Sequence, residues 1–435
     1  MEIVGLSKDN VLKISNIKKE DEYFKKFRLN SYDVFLKQDD PYFGPKYDIN
    51  YEKIVYYKNN EDKLSNDWNK ISCSIKNEFN ELGVIDSEKK MDGLGVQYES
   101  EMIYHNMIEE LEKKKVIFTS IDEAISKYPE LVKKYFGKIV KSTDNKFAAL
   151  NGCVFSGGSF IYIPPHTTLD RPLQSYFRIN SRNMGQFERS LIIVEHDSSL
   201  HYIEGCTAPE YTDSSLHAAV VEIYVGKNST CRYSTIQNWS SNVYNLVTKR
   251  AQVEENGVME WIDGNIGSNI TMKYPACILL GDNSSGTCIT ISVASNNQKQ
   301  DTGARMIHIG KNTKSKIISN SIAKNGGEAT YRGKVEIKSS AINSESLVKC
   351  DSLILDDISK SDTYPVNINN NDSSRIIHEA TVSKIDEENL MYLMSRGISS
   401  ERAVELIILG FIDKFKQELP LEYAVELNQL IKSVL

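Results

Sequence analysis

A strand-like segment recurs along the middle of the chain, and this repeat constrains the fold more than any other feature. Short apolar runs end in similar polar turns that begin 31, 31, 28, 27, 29 and 28 residues apart. The first residues of these turns are Pro164, Glu195, Gly226, Glu254, Gly281, Gly310 and Lys338. A strand-rich period of this length predicts one β-solenoid coil per repeat, because each coil buries its inner face only when the next coil stacks on it. The alternative is a β-sandwich whose spacing is coincidental.

The turns themselves carry a second regularity. Asparagine recurs two residues after the first turn residue, at Asn228, Asn256, Asn283 and Asn312. Asparagine tolerates the left-handed backbone conformation and can hydrogen-bond within its own turn. The regularity is therefore typical of stacked turns of similar shape.

Helical patterns flank the repeats. The sequence predicts a helical and mixed region over 1–147, a parallel β-helix over 148–383 and a helical region over 384–435. Ser120 with Glu123 forms a capping-box pattern that opens a helix. Val404, Ile408, Phe411 and Phe415 form one apolar stripe of a C-terminal helix, and a last helix is predicted over 423–435. This C-terminal region either caps the end of the solenoid or docks a partner, and periodicity alone does not decide between them.

Composition narrows the class of protein. The net charge of −7 argues against a nucleic-acid groove, and the apolar runs are too short to span a bilayer. The N-terminus has no secretory or transit character. Seven cysteines without a CxxC pair predict free thiols in a reducing compartment. We expect a soluble protein of a bacterial cytoplasm or, if it is organelle-encoded, of a plastid or apicoplast, towards which the Lys-, Asn- and Ile-rich composition leans slightly.

The stretch RIIHEATVSK contains a His-Glu pair, His378 and Glu379. A zinc-protease motif needs a second histidine where Val382 stands, so that interpretation fails. Neighbouring side chains on a strand point to opposite faces, so only one of the pair needs to contact a metal. From this pattern alone, a structural role for His378 is favoured.

Several long stretches resemble the SufB family, the scaffold subunits of the SUF iron–sulfur cluster assembly system. The resemblance covers roughly Val116 to Val434 and rests on YFRINSRNMGQFERSLIIVEHDSSLHYIEGCTAPE, LHAAVVEIYVGKNSTCRYSTIQNW, VTKRA, MKYPACILLGDNSSG, DTGARMIHIGKN, VKCDSLI, HEATVSKI and RGISSERAVELIILGF. It implies a right-handed parallel β-helix. It also implies three partners: an ABC-type ATPase (SufC), a paralogous SufD subunit or a second copy, and a SufE- or SufU-type sulfur donor with its cysteine desulfurase.

The resemblance also implies the functional residues. Cys206 matches the sulfur acceptor, and Cys350, His378 and Glu379 match ligands of a transient [4Fe–4S] cluster. An interior sulfur path is implied for Arg178, Asn180, Gln237, Trp239 and Lys249. ATPase docking is implied for Arg396, Gly397, Ile408, Phe411 and Phe415. The remaining cysteines of the repeats and the other histidines of the repeats are interpreted as core residues: Cys153, Cys231, Cys277, Cys288, His166, His196, His201, His217 and His308.

The sequence departs from the family pattern at three places. Cys73 is the only cysteine before the repeats, which puts an N-terminal cluster in doubt. Ile377 and Asp362 stand where an acidic residue and a histidine are expected. A partner must therefore supply more of the cluster ligands.

Three functions remain open. The first is a non-enzymatic scaffold whose ATP hydrolysis belongs to a partner, because the chain has no G-x-x-x-x-G-K-[ST] loop. The second is a β-helix enzyme acting on polysaccharides, although no acidic stack recurs on successive coils. The third is a structural SufD-like subunit without a cluster, against which Cys206 and Cys350 both argue. These two cysteines lie 144 residues apart, about five coils, which predicts an axial separation of roughly 24 Å and requires a relay or a mobile sulfur species.

Overall fold

Two long β-sheets pack face to face, and helices cover their outer sides. The computed structural model describes residues 1–60, 62, 64–181, 183–208 and 215–417, so the helix predicted over 423–435 lies outside the described residues. The strands are β1 Glu2–Val4, β2 Val55–Lys58, β3 Gly93–Tyr98, β4 Glu101–Met107, β5 Ile117–Ser120, β6 Ser159–Ile163, β7 Leu173–Arg178, β8 Gly185–Gln186, β9 Arg189–Val194, β10 Ser199–Thr207, β11 Ser215–His217, β12 Val220–Val225, β13 Thr230–Trp239, β14 Val243–Val253, β15 Val258–Gly267, β16 Ile270–Lys273, β17 Ala276–Leu279, β18 Ser285–Ala294, β19 Lys299–His308, β20 Lys314–Ala323, β21 Glu328–Ile337, β22 Glu345–Ile354, β23 Lys360–Asn369 and β24 Arg375–Lys384. The helices are α1 Lys8–Ile17, α2 Glu22–Lys37, α3 Cys73–Glu81, α4 Val84–Ser87, α5 Glu109–Lys113, α6 Ile121–Lys127, α7 Pro129–Tyr135, α8 Lys146–Val154, α9 Glu387–Ser395, α10 Ser400–Phe411 and α11 Asp413–Gln417, with 3-10 turns at Trp68–Lys70 and Glu88–Lys90.

Each coil gives one strand to each sheet. The first sheet has the order β24-β22-β20-β18-β15-β13-β10-β7-β3-β4, and the main path of the second is β23-β21-β19-β16-β14-β12-β9-β6-β5. Neighbouring strands of the repeats pair in parallel, as β20 with β22 and β21 with β23 do. The result is a β-solenoid of about eight turns, so the mainly β solenoid prediction is confirmed and the sandwich alternative is wrong. Strands β3, β4 and β5 extend the sheets, so the strand structure begins well before residue 148.

The recurring asparagines stack into a ladder along one row of turns. Asn228, Asn256, Asn283 and Asn312 all have positive φ, as their turn positions predict. The side-chain amide of Asn256 donates to Asn228 at 2.9 Å, and Asn283 donates to Asn256 at 3.1 Å. Because each coil bonds the coil before it, the repeat fixes the register of the stack.

The interior between the sheets has an apolar half and a polar half. Tyr202, Tyr233 and Trp261 stack in successive coils with ring centroids 5.2 Å apart, within the main core cluster. Further along the same strands the inward positions are polar but remain buried, as at Thr235 and Asp263. The four cysteines predicted to be core residues, Cys153, Cys231, Cys277 and Cys288, are all fully buried, which confirms their interpretation. The solenoid therefore holds a polar strip alongside a conventional apolar core.

The helices differ from the sequence prediction in two places. Helix α8 overlaps the start of the region predicted to be β-helix, and eight of its nine residues are buried. It lacked a one-sided apolar pattern because it is buried all round. Helices α10 and α11 pack on the outer side of the first sheet, where Ile408 and Phe415 meet Ile262 and Ile291. Strands β23 and β24 of the last coil remain largely exposed, so, of the two alternatives left open by the sequence, the described C-terminal residues do not form a cap over the solenoid end.

No helix in the described ranges combines the length and the apolar character that crossing a bilayer requires.

His308 is a buried core histidine, as predicted, and it should make the fold sensitive to acid. Its two ring nitrogens lie 2.8 Å from the hydroxyls of Thr313 and Ser315, and burial lowers its pKa to about 4. The unfolded chain takes up a proton near pH 6.5 whereas the folded chain does not, so stability is lost as the pH falls from about 6.5 towards 4. We expect His308 to contribute about 2 kcal/mol to the loss of unfolding free energy between pH 7 and pH 4.5. Chemical denaturation at both pH values should show a smaller loss in His308→Gln, and an equal loss in both proteins would contradict this assignment.

Candidate functional site

Cys350 and His378 meet at the exposed end of the solenoid. Cys350 lies on β22 and His378 on β24, the last strand of the first sheet. Both side chains point inward, with Cys350 Sγ 3.8 Å from His378 Nε2. The Asn367 amide lies 3.3 Å from His378 Nδ1. Glu379 is the neighbour of His378 on the strand and points to the opposite face. The structure therefore brings Cys350 and His378 together and leaves Glu379 apart from them.

The environment of this pair keeps both groups neutral in the absence of metal. Burial raises the pKa of the Cys350 thiol to about 12, although the hydroxyl of Tyr331 acts in the opposite direction. Burial also lowers the pKa of His378, so that its imidazole is neutral near pH 7. A coordinating metal deprotonates a thiol that would otherwise stay protonated. The pair can thus offer one soft sulfur and one imidazole nitrogen to an incoming iron.

Cys206 lies on the same sheet, five strand steps from Cys350. The steps run from β10 through β13, β15, β18 and β20 to β22. At about 4.8 Å for each step, the axial separation is roughly 24 Å, so the predicted five-coil spacing is confirmed. Cys206 is fully buried, and burial raises the pKa of its thiol well above the usual range, with Glu204 and Glu188 adding to the effect.

Two rows of buried polar residues join these two cysteines. In both rows the members face each other from successive strands of the first sheet and point into the solenoid. The Glu204 row consists of Glu204, Thr235, Asp263, Thr290, Ser319 and Cys350. The Cys206 row consists of Cys206, Gln237, Asn265, Ser292, Ser321 and Ser352. An unbroken polar lining therefore extends along the solenoid axis from one cysteine to the other.

The opposite sheet places two lysines against these rows. Lys249 and Lys273 lie 3.2 and 3.3 Å from the same carboxylate oxygen of Asp263, and all three side chains are buried. Lys273 also donates to Gln237 at 3.2 Å. Burial raises the pKa of Asp263, but the two ammonium groups outweigh it and hold that pKa below its usual range. Burial lowers the pKa of Lys273 to about 8, against the attraction of Asp263. Two buried amines share the carboxylate of Asp263, and Lys249 also acts on the buried carboxylate of Glu204 in the same row, so the cluster combines two amines with two acidic groups.

Several buried polar atoms of the interior have no hydrogen-bond partner among the described residues. They are Oε2 of Glu188 and Glu204, Oγ1 of Thr235, Nε2 of Gln237, Nε1 of Trp239, Oδ2 of Asp263 and both side-chain polar atoms of Asn265. Buried polar atoms without partners are rare in native proteins unless water or a ligand satisfies them. Their concentration here indicates a solvated interior that can hold small polar species.

Sequence reasoning found only part of this interior. Gln237, Trp239 and Lys249 lie in it, as the resemblance implies. Trp239 packs on His217 with ring centroids 4.6 Å apart. The buried partners that it missed are Glu188, Glu204, Asn245, Asp263 and Lys273, whereas His217 is buried as predicted but also pairs with Glu188. A usable signal was available, because positions two apart on a strand share a face and the repeat aligns successive coils.

Arg178 and Asn180 lie elsewhere, which corrects their assignment to the interior. The guanidinium of Arg178 forms a 2.8 Å ion pair with Glu78 of α3, and the amide of Asn180 donates to the same carboxylate at 3.2 Å. Arg178 pairs with Thr207 on β10, and Thr207 points to the face opposite Cys206. The two residues do face the same side, as predicted, but that side is the outer one.

The C-terminal residues divide into an inner and an outer set. Ile408 and Phe415 are buried against the chain's own sheet and Phe411 is partly buried there, so these three cannot form the main contact surface for a partner. Arg396 lies over the ring of Tyr392, and Gly397 ends α9 with a φ of +83°. The exposed apolar side chains on α9 are Met391, Tyr392 and Met394. Among residues 384–417, which the structure describes, the outer face is therefore α9.

Comparison with known proteins identifies relatives over almost the whole chain. Residues 177–411 match the family described as "SUF system FeS cluster assembly, SufBD core domain", and residues 39–175 match "SufBD protein N-terminal region". An iron–sulfur cluster assembly SufBD family protein of Staphylococcus aureus (strain MRSA252) is 54% identical over 98% of this chain and 92% of its own length. A protein of the same description from Staphylococcus haemolyticus (strain JCSC1435) is 53% identical over the same shares.

Proposed function

Because the chain belongs to the SufBD family of iron–sulfur cluster assembly proteins, we propose that it is a SufB-type scaffold. It accepts sulfur at Cys206 and builds a transient [4Fe–4S] cluster at Cys350 and His378. The observation that carries this proposal is the 3.8 Å approach of the Cys350 sulfur to His378 at the exposed end of a polar interior that begins at Cys206. The cluster is cargo that leaves for other proteins, so the chain itself is not an enzyme.

Sulfur reaches Cys206 as a persulfide. A thiolate of Cys206 attacks the terminal sulfur of the donor's persulfide, and the donor thiol leaves. Because Cys206 is fully buried, this step requires the neighbouring residues to move and expose it. The donor is a SufE- or SufU-type protein loaded by a cysteine desulfurase.

The distance between the cysteines excludes direct transfer and favours a mobile sulfur anion. Two electrons and two protons convert the Cys206 persulfide to a thiol and hydrogen sulfide, and an external reductant such as a reduced flavin supplies the electrons. The hydrosulfide anion then moves along the two polar rows. Lys249 and Lys273 attract an anion there, since both act to lower the pKa of the Cys206 thiol, although Glu204 and Glu188 act in the opposite direction.

Iron binding at the far end is incomplete without a partner. One thiolate and one imidazole cannot hold a four-iron cluster, which usually takes four protein ligands. Strands β23 and β24 end the two sheets with exposed edges, and exposed edge strands are ready templates for pairing with another chain. A SufD-type paralogue or a second copy therefore completes the ligand set at this end. A SufC-type ATPase docks on the C-terminal region, with α9 as its contact surface.

The two rival functions fit the site less well. Glu204 and Asp263 share their row with hydroxyl and thiol residues inside the solenoid, so they form no acidic cleft on an outer face of the kind a polysaccharide-cleaving enzyme needs. A structural SufD-like subunit would have no need for a thiol and an imidazole at contact distance.

The free thiols favour a reducing compartment.

The direct test is anaerobic reconstitution of the purified chain with its SufC- and SufD-type partners. The mixture contains ferrous iron, cysteine, a desulfurase with its sulfur donor, and a reductant. We expect the visible absorption and Mössbauer spectrum of an iron–sulfur cluster, followed by transfer of the cluster to an apo-ferredoxin. A complex that assembles fully but binds no iron or sulfide would overturn the scaffold role.

A further inference from the structure

The asparagine ladder ends in two histidines and an aspartate. The row of turns that holds Asn228 continues to Asp197 in the preceding coil and to His166 in the coil before that. All three residues have left-handed backbones, with φ values of +55°, +56° and +58°. His196 directly precedes Asp197. These histidines were predicted to be core residues, which is wrong, since 70% of the His166 side chain and 46% of the His196 side chain are exposed.

The two imidazole rings converge on one carboxylate oxygen of Asp197. Asp197 Oδ2 lies 2.9 Å from His196 Nδ1 and 3.5 Å from His166 Nδ1. The amide of Asn228 donates to the other oxygen, Oδ1, at 2.8 Å and so fixes the carboxylate. All three ligand atoms lie within 4.8 Å of one another.

We propose that His166, His196 and Asp197 bind one divalent first-row transition metal ion. Two ligand atoms at ~2.0–2.1 Å from a tetrahedral zinc lie roughly 3.4 Å apart, close to the separations found here. Imidazole nitrogens favour Zn²⁺, Co²⁺, Ni²⁺ or Fe²⁺ over Mg²⁺ and Ca²⁺, which take oxygen ligands. Three protein ligands leave at least one coordination position for water or for a ligand from another molecule. The site does not involve Cys206 or Cys350, so it is independent of the proposed scaffold function.

The ladder provides a matched variant for the test. In Asp197→Asn the new amide oxygen can still accept from Asn228, so the stack of turns is preserved while the anionic ligand is lost. Asp282→Asn is the control, because Asp282 is an exposed turn aspartate three coils further along whose carboxylate accepts from the Lys311 backbone. Both variants remove one negative charge from the same row of turns.

The experiment measures Co²⁺ and Zn²⁺ binding to the full-length chain carrying Cys350→Ala, which removes the thiol of the cluster site. We expect one equivalent of Co²⁺, with the visible spectrum of nitrogen and oxygen ligands and competition by Zn²⁺. Asp197→Asn and His196→Ala should each weaken binding by ~10-fold or more, since even outer-shell changes cost 10–100-fold. The Asp282→Asn variant should bind Co²⁺ with the same affinity as the parent, which is the chain carrying Cys350→Ala alone. Equal affinity in the parent and in Asp197→Asn, or no stoichiometric binding by the parent, would overturn the proposal.

Discussion

Replacement of Cys350 by alanine is expected to abolish stable cluster assembly on the reconstituted complex. Cys350 supplies the soft sulfur ligand of the pair at the solenoid end, and loss of even an outer-shell partner lowers metal affinity by 10–100-fold. We therefore expect cluster-bound iron to fall by ~10-fold or more, measured by the visible absorption and by iron and sulfide content. The fold should persist, because the side chain is small and lies near the exposed last coil.

Two comparisons make this result specific. Cys277→Ala removes a thiol that is equally buried but lies among apolar residues of the core, so its cluster content should stay at the wild-type level. His378→Ala should lower cluster content whereas Glu379→Gln should not, because only His378 shares a face with Cys350. A normal cluster in Cys350→Ala, or equal losses in Cys350→Ala and Cys277→Ala, would reject Cys350 as a ligand.

Replacement of Asp263 by alanine is expected to destabilise the fold by about 3–5 kcal/mol, since removing one partner from a buried ion pair leaves its charge uncompensated. Here two buried ammonium groups, those of Lys249 and Lys273, would lose their shared carboxylate. Denaturant unfolding followed by circular dichroism measures the change in unfolding free energy.

The matched control is Asp282→Ala. This aspartate is exposed in a turn, and surface substitutions usually change stability by about 0.5 kcal/mol or less. A similar small change for both variants would mean that the interior is solvated well enough to screen the lysines, and the predicted coupling of Asp263 to them would be wrong.

The repeat predicted the solenoid because its period follows directly from stacking, and the capping pattern at Ser120 predicted the start of α6, where the Ser120 hydroxyl accepts from the Glu123 backbone amide at 3.2 Å. Helix α8 escaped prediction because a segment buried on every side has no amphipathic period. The sequence also could not predict the surface on which α10 packs. Its apolar stripe indicates that something covers it, but not whether that is a sheet of the same chain or a partner.

The site was only partly predictable for a related reason. Alternation along a strand correctly separates His378 from Glu379, and the coil count correctly gives the span from Cys206 to Cys350. Neither rule tells which face of β7 points inward, and so Arg178 was placed on the wrong side. The contact of Lys273 with Asp263 joins strands of different sheets, and its geometry depends on how the two sheets face each other.

The central claim is that sulfur travels inside the solenoid from Cys206 to the Cys350 end. The decisive variant combines Lys249→Met, Asp263→Leu and Lys273→Met, which replaces the two lysines and their shared carboxylate with apolar side chains and is expected to preserve stability, while the Glu188–His217 pair stays in place. The measurement follows radiolabelled sulfur from a desulfurase-loaded donor into Cys206 persulfide and then into cluster sulfide. We expect both proteins to label Cys206 but only the wild type to deliver label to the cluster, whereas both should build it from free sulfide. Equal delivery of donor sulfur by the apolar variant would contradict the interior route.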